Sequence, residues 1–170
     1  MIEIDLAKCT GCRRCETVCA FSHTGKVGTG IARIKVVHIY GTGIDGPVTC
    51  VQCREKYCME CPVGALSLGP EGQILFSPTV CTGCGTCKRK CPIGAIEIFE
   101  GMVYVCDLCG GTPYCVEACT EQAMRYSAKC ESPSLRRFVD QGAETPSEKR
   151  YYYIETQGAS IREKWRNRHG

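Results

Sequence analysis

Apolar and polar residues alternate along this chain only in short runs. Ile2-Glu3-Ile4-Asp5 alternates and predicts a strand, and Met124-Arg125-Tyr126 predicts a second that can pair with it to close a sheet. Ala32-Arg33-Ile34-Lys35-Val36-Val37 predicts a further strand. Between them the pattern repeats: CPVGALSLGPEGQILFSPTVC is followed by CPIGAIEIFEGMVYVC. Each copy predicts a short helix from its leading cysteine, a strand, a glycine-containing turn and a return strand. The strands fall at Ala65–Leu68 and Ile74–Phe76, then at Ala95–Ile98 and Met102–Val105. CTEQAMRY (119–126) begins a weaker third copy. Glu131-Ser132-Pro133-Ser134 reads as a linker. Tyr151–Ile154 predicts a strand, and Ile161 and Trp165 share one helical face among Arg162, Lys164, Arg166 and Arg168. No run approaches the roughly 18 to 20 apolar residues of a membrane-spanning helix.

Composition changes this picture at one point. The chain has 170 residues, 44% hydrophobic and 23% charged, which excludes disorder over most of its length. Seventeen of those residues are cysteine. So many cysteines mean a disulfide framework or metal. Disulfides need an oxidising compartment. Met1–Leu6 has no basic segment leading into an apolar stretch, and Arg13-Arg14 sits inside a cysteine motif, so neither export signal is recognisable. The odd count would also leave one thiol unpaired.

Spacing separates the metals. The cysteines fall into four groups: Cys9, Cys12, Cys15, Cys19; Cys50, Cys53, Cys58, Cys61; Cys81, Cys84, Cys87, Cys91; and Cys106, Cys109, Cys115, Cys119. Cys130 stands apart and reads as a free thiol. A structural zinc site takes two Cys-x2-Cys knuckles around one tetrahedral ion. A third cysteine two residues after such a pair has no place there. In a [4Fe-4S] cubane, a C-x2-C-x2-C loop wraps three iron corners. The cysteine three residues later ligates the other cluster of a two-cluster ferredoxin. The first and third groups match that run, and the third is followed by Pro92.

KCTGCRRCETVCAFSH (8–23), CVQCREKYCMECPVGAL (50–66), CTGCGTCKRKCPIGAI (81–96) and CDLCGGTPYCVEAC (106–119) together resemble the four-cluster ferredoxin-type electron-transfer subunits of molybdenum and tungsten pterin oxidoreductases, the dimethyl-sulfoxide-reductase type. The likeness spans residues 2 to 127 and is strongest to the small iron-sulfur subunits of tungsten aldehyde oxidoreductases. The second motif departs from that family by one residue before Cys61. Prolines are missing after Cys19 and Cys119.

The resemblance implies an α+β chain. Two ferredoxin-like two-cluster lobes of short hairpins and helices would occupy residues 1–130, with a C-terminal extension over 131–170. It implies four [4Fe-4S] clusters on the sixteen grouped cysteines. The second and third motifs are adjacent and one ferredoxin repeat apart, which leaves the first and fourth to form the other lobe. The expected sets are Cys9, Cys12, Cys15 with Cys119; Cys106, Cys109, Cys115 with Cys19; Cys50, Cys53, Cys58 with Cys91; and Cys81, Cys84, Cys87 with Cys61. Four purely local sets are the alternative.

The formal charge of +3 would suggest an anionic partner such as nucleic acid. Four oxidised clusters at about −2 each bring the loaded chain to about −5 and remove that reading. Lys8, Arg13, Arg14, Arg54, Lys56, Lys88, Arg89 and Lys90 lie within three residues of a ligand cysteine. They either offset cluster charge or form a solvated docking surface. No nucleophile with a base is evident. Gly28-Thr29-Gly30 and Gly41-Thr42-Gly43 lack the rest of a nucleotide fingerprint and read as turns. His23, His38 and His169 share no ligand spacing and read as ordinary polar residues.

The expectation is therefore a non-catalytic relay of single electrons. Its partner would be a catalytic pterin-containing subunit, first an aldehyde-oxidising tungsten protein, with a flavin or NAD subunit, a ferredoxin or further copies of this chain beside it. Formate, carbon monoxide or hydrogen-oxidising complexes are the alternatives, and a zinc-binding interaction module is a distant one. A cytoplasmic location is expected, and residues 131–170 are either a docking arm or a disordered tail.

Overall fold

The computed structural model describes residues 1–128 and 131–169, with side chains as far as Asn167. Cys130 and the side chain of His169 lie outside the described residues. The architecture is α+β, built from short antiparallel hairpins and few helices, and compatible with ferredoxin-like domains. The strands are β1 (Ile2–Ile4), β2 (Ile34–Ile39), β3 (Ile44–Thr49), β4 (Leu66–Leu68), β5 (Ile74–Phe76), β6 (Glu97–Phe99), β7 (Met102–Tyr104) and β8 (Met124–Tyr126). They pair as four two-stranded sheets, β1 with β8, β2 with β3, β4 with β5 and β6 with β7. Ile2 faces Tyr126 and Ile4 faces Met124, so the two ends of the cysteine-rich region meet in one ladder.

The helices are α1 (Arg14–Thr24), α2 (Thr86–Lys90), α3 (Tyr114–Glu117) and α4 (Pro146–His169). The expected helices after Cys61 and Cys91 are instead turns. Gly64 N–H donates to the Cys61 carbonyl at 3.2 Å, and Gly94 N–H to that of Cys91 at 3.4 Å. Proline one residue after each cysteine favours such a turn, and glycine closes it with φ near +65° and +63°. Helix α2 precedes Cys91 and stops on it. Ala20 takes the proline's place after Cys19, so α1 runs on to Thr24 and ends on Gly25, whose N–H caps the Phe21 carbonyl.

Two hydrophobic clusters form the interior. One gathers Ile2, Ala20, Ala32, Ile34, Val36, Leu108 and Met124 around Cys15, Cys19, Cys106 and Cys115. The other gathers Ile39, Ile44, Val48, Ile74, Ile93, Ile96 and Phe138 around Cys58, Cys87 and Cys91. The β2–β3 hairpin feeds both, and Cys50 packs against both.

The strand expected at Tyr151–Ile154 is part of α4. Three tyrosines and an isoleucine suit a strand by propensity, but burial follows a helical period. Ile154 and Gly158 are buried, with Tyr153, Gln157 and Ile161 partly covered on the same face. The helix starts on a capping box. Glu148 N–H donates to Thr145 Oγ1 at 3.2 Å, while the Glu148 carboxylate accepts from Thr145 N–H at 2.9 Å. Pro146 occupies the first helical position, where its missing N–H is harmless. Up to Ile161 this extension packs on its own chain: Ile154 is 1% exposed, and Phe138 stacks edge-on to Tyr153 with centroids 5.1 Å apart.

Candidate metal centre

The four cysteine loops share one backbone device. The residue before the second cysteine of each motif is left-handed: Gly11 (φ 67°), Gln52 (51°), Gly83 (70°) and Leu108 (61°). A left-handed residue in a tight turn aims successive backbone N–H groups into one concavity, which suits an anionic guest. Glycine does this without strain at two loops. At Gln52 and Leu108 the conformation costs on the order of 1 kcal/mol or more and is held by the surroundings. Leu108 is 1% exposed and Gln52 5%.

Four thiols converge across distant motifs in two places. Cys9, Cys12, Cys15 and Cys119 line one small cavity, beneath Val36, Pro47 and Met124. Cys50, Cys53, Cys58 and Cys91 line another, with Ile93, Ile96 and Leu135. Elsewhere, Cys19 lies within electrostatic reach of Cys106 and Cys109, and Cys87 within reach of Cys61 and Cys81. Cys84 stands at the surface beside Thr86, 3.4 Å from its hydroxyl. No disulfide joins any of the described cysteines.

Backbone donors point at the fourth cysteine of three motifs. Ala65 N–H reaches Cys61 Sγ, Ala95 N–H reaches Cys91 Sγ and Arg33 N–H reaches Cys19 Sγ, each at 3.3 Å. The first two bonds are the same bond in the two copies of the repeat. Gly83 N–H adds one to Cys81 Sγ at 3.4 Å.

Burial dominates the thiol chemistry. It pushes Cys15 up to about 12, helped by the neighbouring Glu16 carboxylate, and Cys58 up to about 12, helped by Cys91. Cys19 rises to about 11 for the same reason, although the Arg33 N–H partly opposes it. Burial also raises Cys50, Cys91, Cys106 and Cys115. Exposed Cys84 is lowered by the Thr86 hydroxyl. Thiols this dry do not ionise alone, yet they sit in groups with N–H donors aimed at their sulfurs. That donor set fits [4Fe-4S] clusters: the iron would ionise the thiols that hold it, and the N–H groups would favour the net negative charge of the thiolate-ligated cluster.

Charged neighbours flank the thiols, and sequence reasoning missed the closest. His23 Nε2 lies 3.5 Å from Cys109 Sγ and 3.8 Å from Asp107 Oδ1. The Asp107 carboxylate also pairs with the Arg33 guanidinium and accepts from Cys109 N–H at 3.1 Å. Burial, then Arg33, lowers the His23 imidazole, with Asp107 opposing. Buried Glu16 accepts from Val36 N–H at 2.6 Å. No spacing pattern links His23 to a cysteine 86 residues away. Most of the cations expected to offset cluster charge have other partners. Lys90 pairs with Glu60 at 2.7 Å, Lys88 with Glu97 at 2.5 Å, and Lys56 donates to the Gly72 carbonyl at 3.0 Å.

The 4Fe-4S binding domain family matches this chain twice, over residues 1–24 and 74–97. The polyferredoxin-like subunit of an aliphatic sulfonate oxidoreductase from Pyrococcus furiosus is 38% identical, over 84% of this chain and 83% of its own length. The putative electron transport protein YsaA of Escherichia coli is 37% identical, over 73% of this chain and 87% of its own. An uncharacterized ferredoxin of Methanocaldococcus jannaschii is 36% identical, over 73% and 77%. Among solved structures, a chain of the active-site complex BamBC of benzoyl coenzyme A reductase aligns over 74% of this chain and 76% of its own, at 27% identity and TM-score 0.44. Two matched cluster-binding domains, sixteen grouped cysteines and relatives covered over most of their length lead to one assignment: the chain belongs to the polyferredoxin-like family of ferredoxin-type 4Fe-4S electron-transfer proteins, related to subunits of oxidoreductase complexes.

Proposed function

We propose that the chain holds four [4Fe-4S] clusters and relays single electrons between a catalytic oxidoreductase subunit and a second redox partner, with no substrate of its own. The observation that carries this is the crossed convergence of thiols. Cys119 joins Cys9, Cys12 and Cys15, and Cys91 joins Cys50, Cys53 and Cys58. Those groups support crossed over local sets. The remaining sets are Cys106, Cys109, Cys115 with Cys19, and Cys81, Cys84, Cys87 with Cys61. Each cluster would supply one-electron chemistry, and four cysteine ligands leave no open iron corner for a substrate.

The sets form a line. Cys15 lies within electrostatic reach of Cys115, Cys106 of Cys50, and Cys87 of Cys58. The order therefore runs from the set with exposed Cys12, through two interior sets, to the set with exposed Cys84. The two hydrophobic clusters would be the two lobes. The chain buries most of the inner thiols and presents one exposed ligand at each end. The α4 segment beyond Ile161, with exposed Trp165, remains the part of the extension left for a partner.

For that partner, a pterin-containing tungsten or molybdenum subunit acting on aldehydes is the first reading, and the likeness to an aliphatic sulfonate oxidoreductase subunit supports the catalytic subunit of such an oxidoreductase as the second. The cytoplasm is the proposed location. Anaerobic purification with iron and sulfide analysis tests the relay. About sixteen iron atoms per chain and bleaching by dithionite support it. Near-zero iron, or stoichiometric zinc, overturns it. Copurification from native cells identifies the catalytic subunit.

A further inference from the structure

The two ends of that line differ in charge. Around Cys12 carboxylates are at least as numerous as cations, and Lys8 and Arg13 are paired. Lys8 Nζ lies 3.9 Å from Asp5, and Arg13 Nη1 lies 3.9 Å from Glu16. Arg13 Nε donates to His38 Nε2 at 3.1 Å, and His38 Nδ1 is 2.9 Å from Asp45. Glu121 lines the same cavity as Arg14.

Around Cys84 cations outnumber carboxylates. Helix α2 carries Lys88, Arg89 and Lys90 in succession. Arg89 Nη1 donates to the Cys84 carbonyl at 2.9 Å, which holds its guanidinium against the exposed thiol. Lys149 of α4 reaches across to the Arg89 carbonyl at 2.7 Å, and Arg150 to that of Gly94 at 2.9 Å. The carboxylates paired with these five cations are Glu60 and Glu97, and Glu97 is shared, 2.5 Å from Lys88 and 3.2 Å from Arg150. Glu148, next in sequence to Lys149, turns away to cap its own helix. Arg89 and Lys90 are exposed, and Val80, just before Cys81, is 47% exposed.

We propose that the Cys84 face is the docking surface for an acidic one-electron carrier protein. The proposal rests on the relay reading and names the partner chemistry at one end of it. A surface with excess positive charge around an exposed ligand steers an anionic partner onto the shortest route to the cluster. The opposite end, where carboxylates are at least as numerous as cations, gives no such steering.

The experiment uses anaerobic holoprotein, with iron content and dithionite bleaching checked on each sample. The probe is an acidic bacterial ferredoxin carrying two [4Fe-4S] clusters. Binding is followed by calorimetry and electron transfer by stopped flow, at low salt and again near 1 M. The Lys90→Glu, Lys149→Glu double variant is expected to bind about tenfold more weakly and react about tenfold more slowly at low salt. Near 1 M salt, where the Debye length is about 3 Å, it converges with the parent. The Lys8→Glu, Arg14→Glu control is expected to behave as the parent. Lys90→Glu alone, which breaks only the pair with exposed Glu60, gives the same direction if the double variant loads iron poorly. Full cluster content with no binding of the probe, or equal losses from reversals at both ends, overturns the docking face and leaves the relay standing. Absence of iron in the parent overturns the relay itself.

Discussion

The buried side-chain amide of Gln52 donates to the backbone carbonyl of Cys106 at 3.3 Å. That bond ties the second cysteine loop to the fourth, between the two hydrophobic clusters. It also pins a residue in a left-handed conformation, and Lys56 Nζ adds a bond to the Gln52 carbonyl at 3.3 Å. Gln52→Met keeps the volume and removes the amide. The Cys106 carbonyl then loses its partner in a dry site, a loss of about 1 to 3 kcal/mol. Anaerobic thermal bleaching is expected to begin at lower temperature. An unchanged midpoint would mean that the bond is not holding the loops together.

The two copies of the repeat offer a matched pair of substitutions. Gly64 and Gly94 close identical turns with φ of 65° and 63°. A Cβ on Gly64 meets nothing within 4 Å, whereas one on Gly94 lands on the Pro146 carbonyl oxygen at the start of α4. Gly64→Ala should lose only the left-handed strain, on the order of 1 kcal/mol. Gly94→Ala should lose more and release α4. Limited proteolysis would show cleavage within residues 140–155 in the second variant alone. Equal protection in both would contradict the packing of α4 on that turn.

Much of this was legible in the sequence, for identifiable reasons. The β1–β8 ladder followed from alternation, and the repeat placed β4 through β7 within a residue or two. The strands start later than expected because Ala65 and Ala95 spend their N–H groups on Cys61 and Cys91 sulfur rather than on a ladder. Strand β3 was missed because Gly46-Pro47 interrupts it, and glycine and proline both weaken strand propensity. Thr145-Pro146-Ser147-Glu148 carried a helix-start signature that outweighs the Tyr151–Ile154 run. The two convergent thiol groups were approachable because cluster ligation imposes spacing. His23, Arg33 and Asp107 were not, because hydrogen bonds across the fold impose none.

The His23 imidazole bears on one cluster's potential. The groups facing Nε2 are Cys109 sulfur at 3.5 Å and the Asp107 carboxylate at 3.8 Å, both anionic once the thiol is ligated. Nε2 therefore carries the ring proton and donates it. A donor to a ligand sulfur stabilises the reduced, more negative cluster, so with the four clusters proposed above His23→Leu should shift one potential downward and leave three in place. Redox titration followed by electron paramagnetic resonance reads the four separately. His23→Gln, which restores a donor, should recover part of the shift. A uniform change in all four, or none, would remove the assignment.

Acid should act on α4 through Glu97. Burial alone would push this carboxyl up, but the Lys88 ammonium at 2.5 Å and the Arg150 guanidinium at 3.2 Å override it and hold it below its usual value of 4.5. A carboxylate depressed in the folded state stabilises it fully above the unfolded value. That contribution is lost as pH falls through the lower, folded value. Arg150 lies on α4 and Glu97 on β6, so the loss falls on the contact between them. Amide exchange at α4, corrected for intrinsic rates, should be constant from pH 7 to 5 and weaken below about 4.5. Glu97→Gln should show weaker protection already at pH 7 and little further change with acid. Protection equal to the parent at pH 7 would mean that Glu97 does not anchor the helix. A fall in the parent between pH 7 and 5 has the right sign but lies above the window of a depressed carboxylate, and would point to a histidine instead.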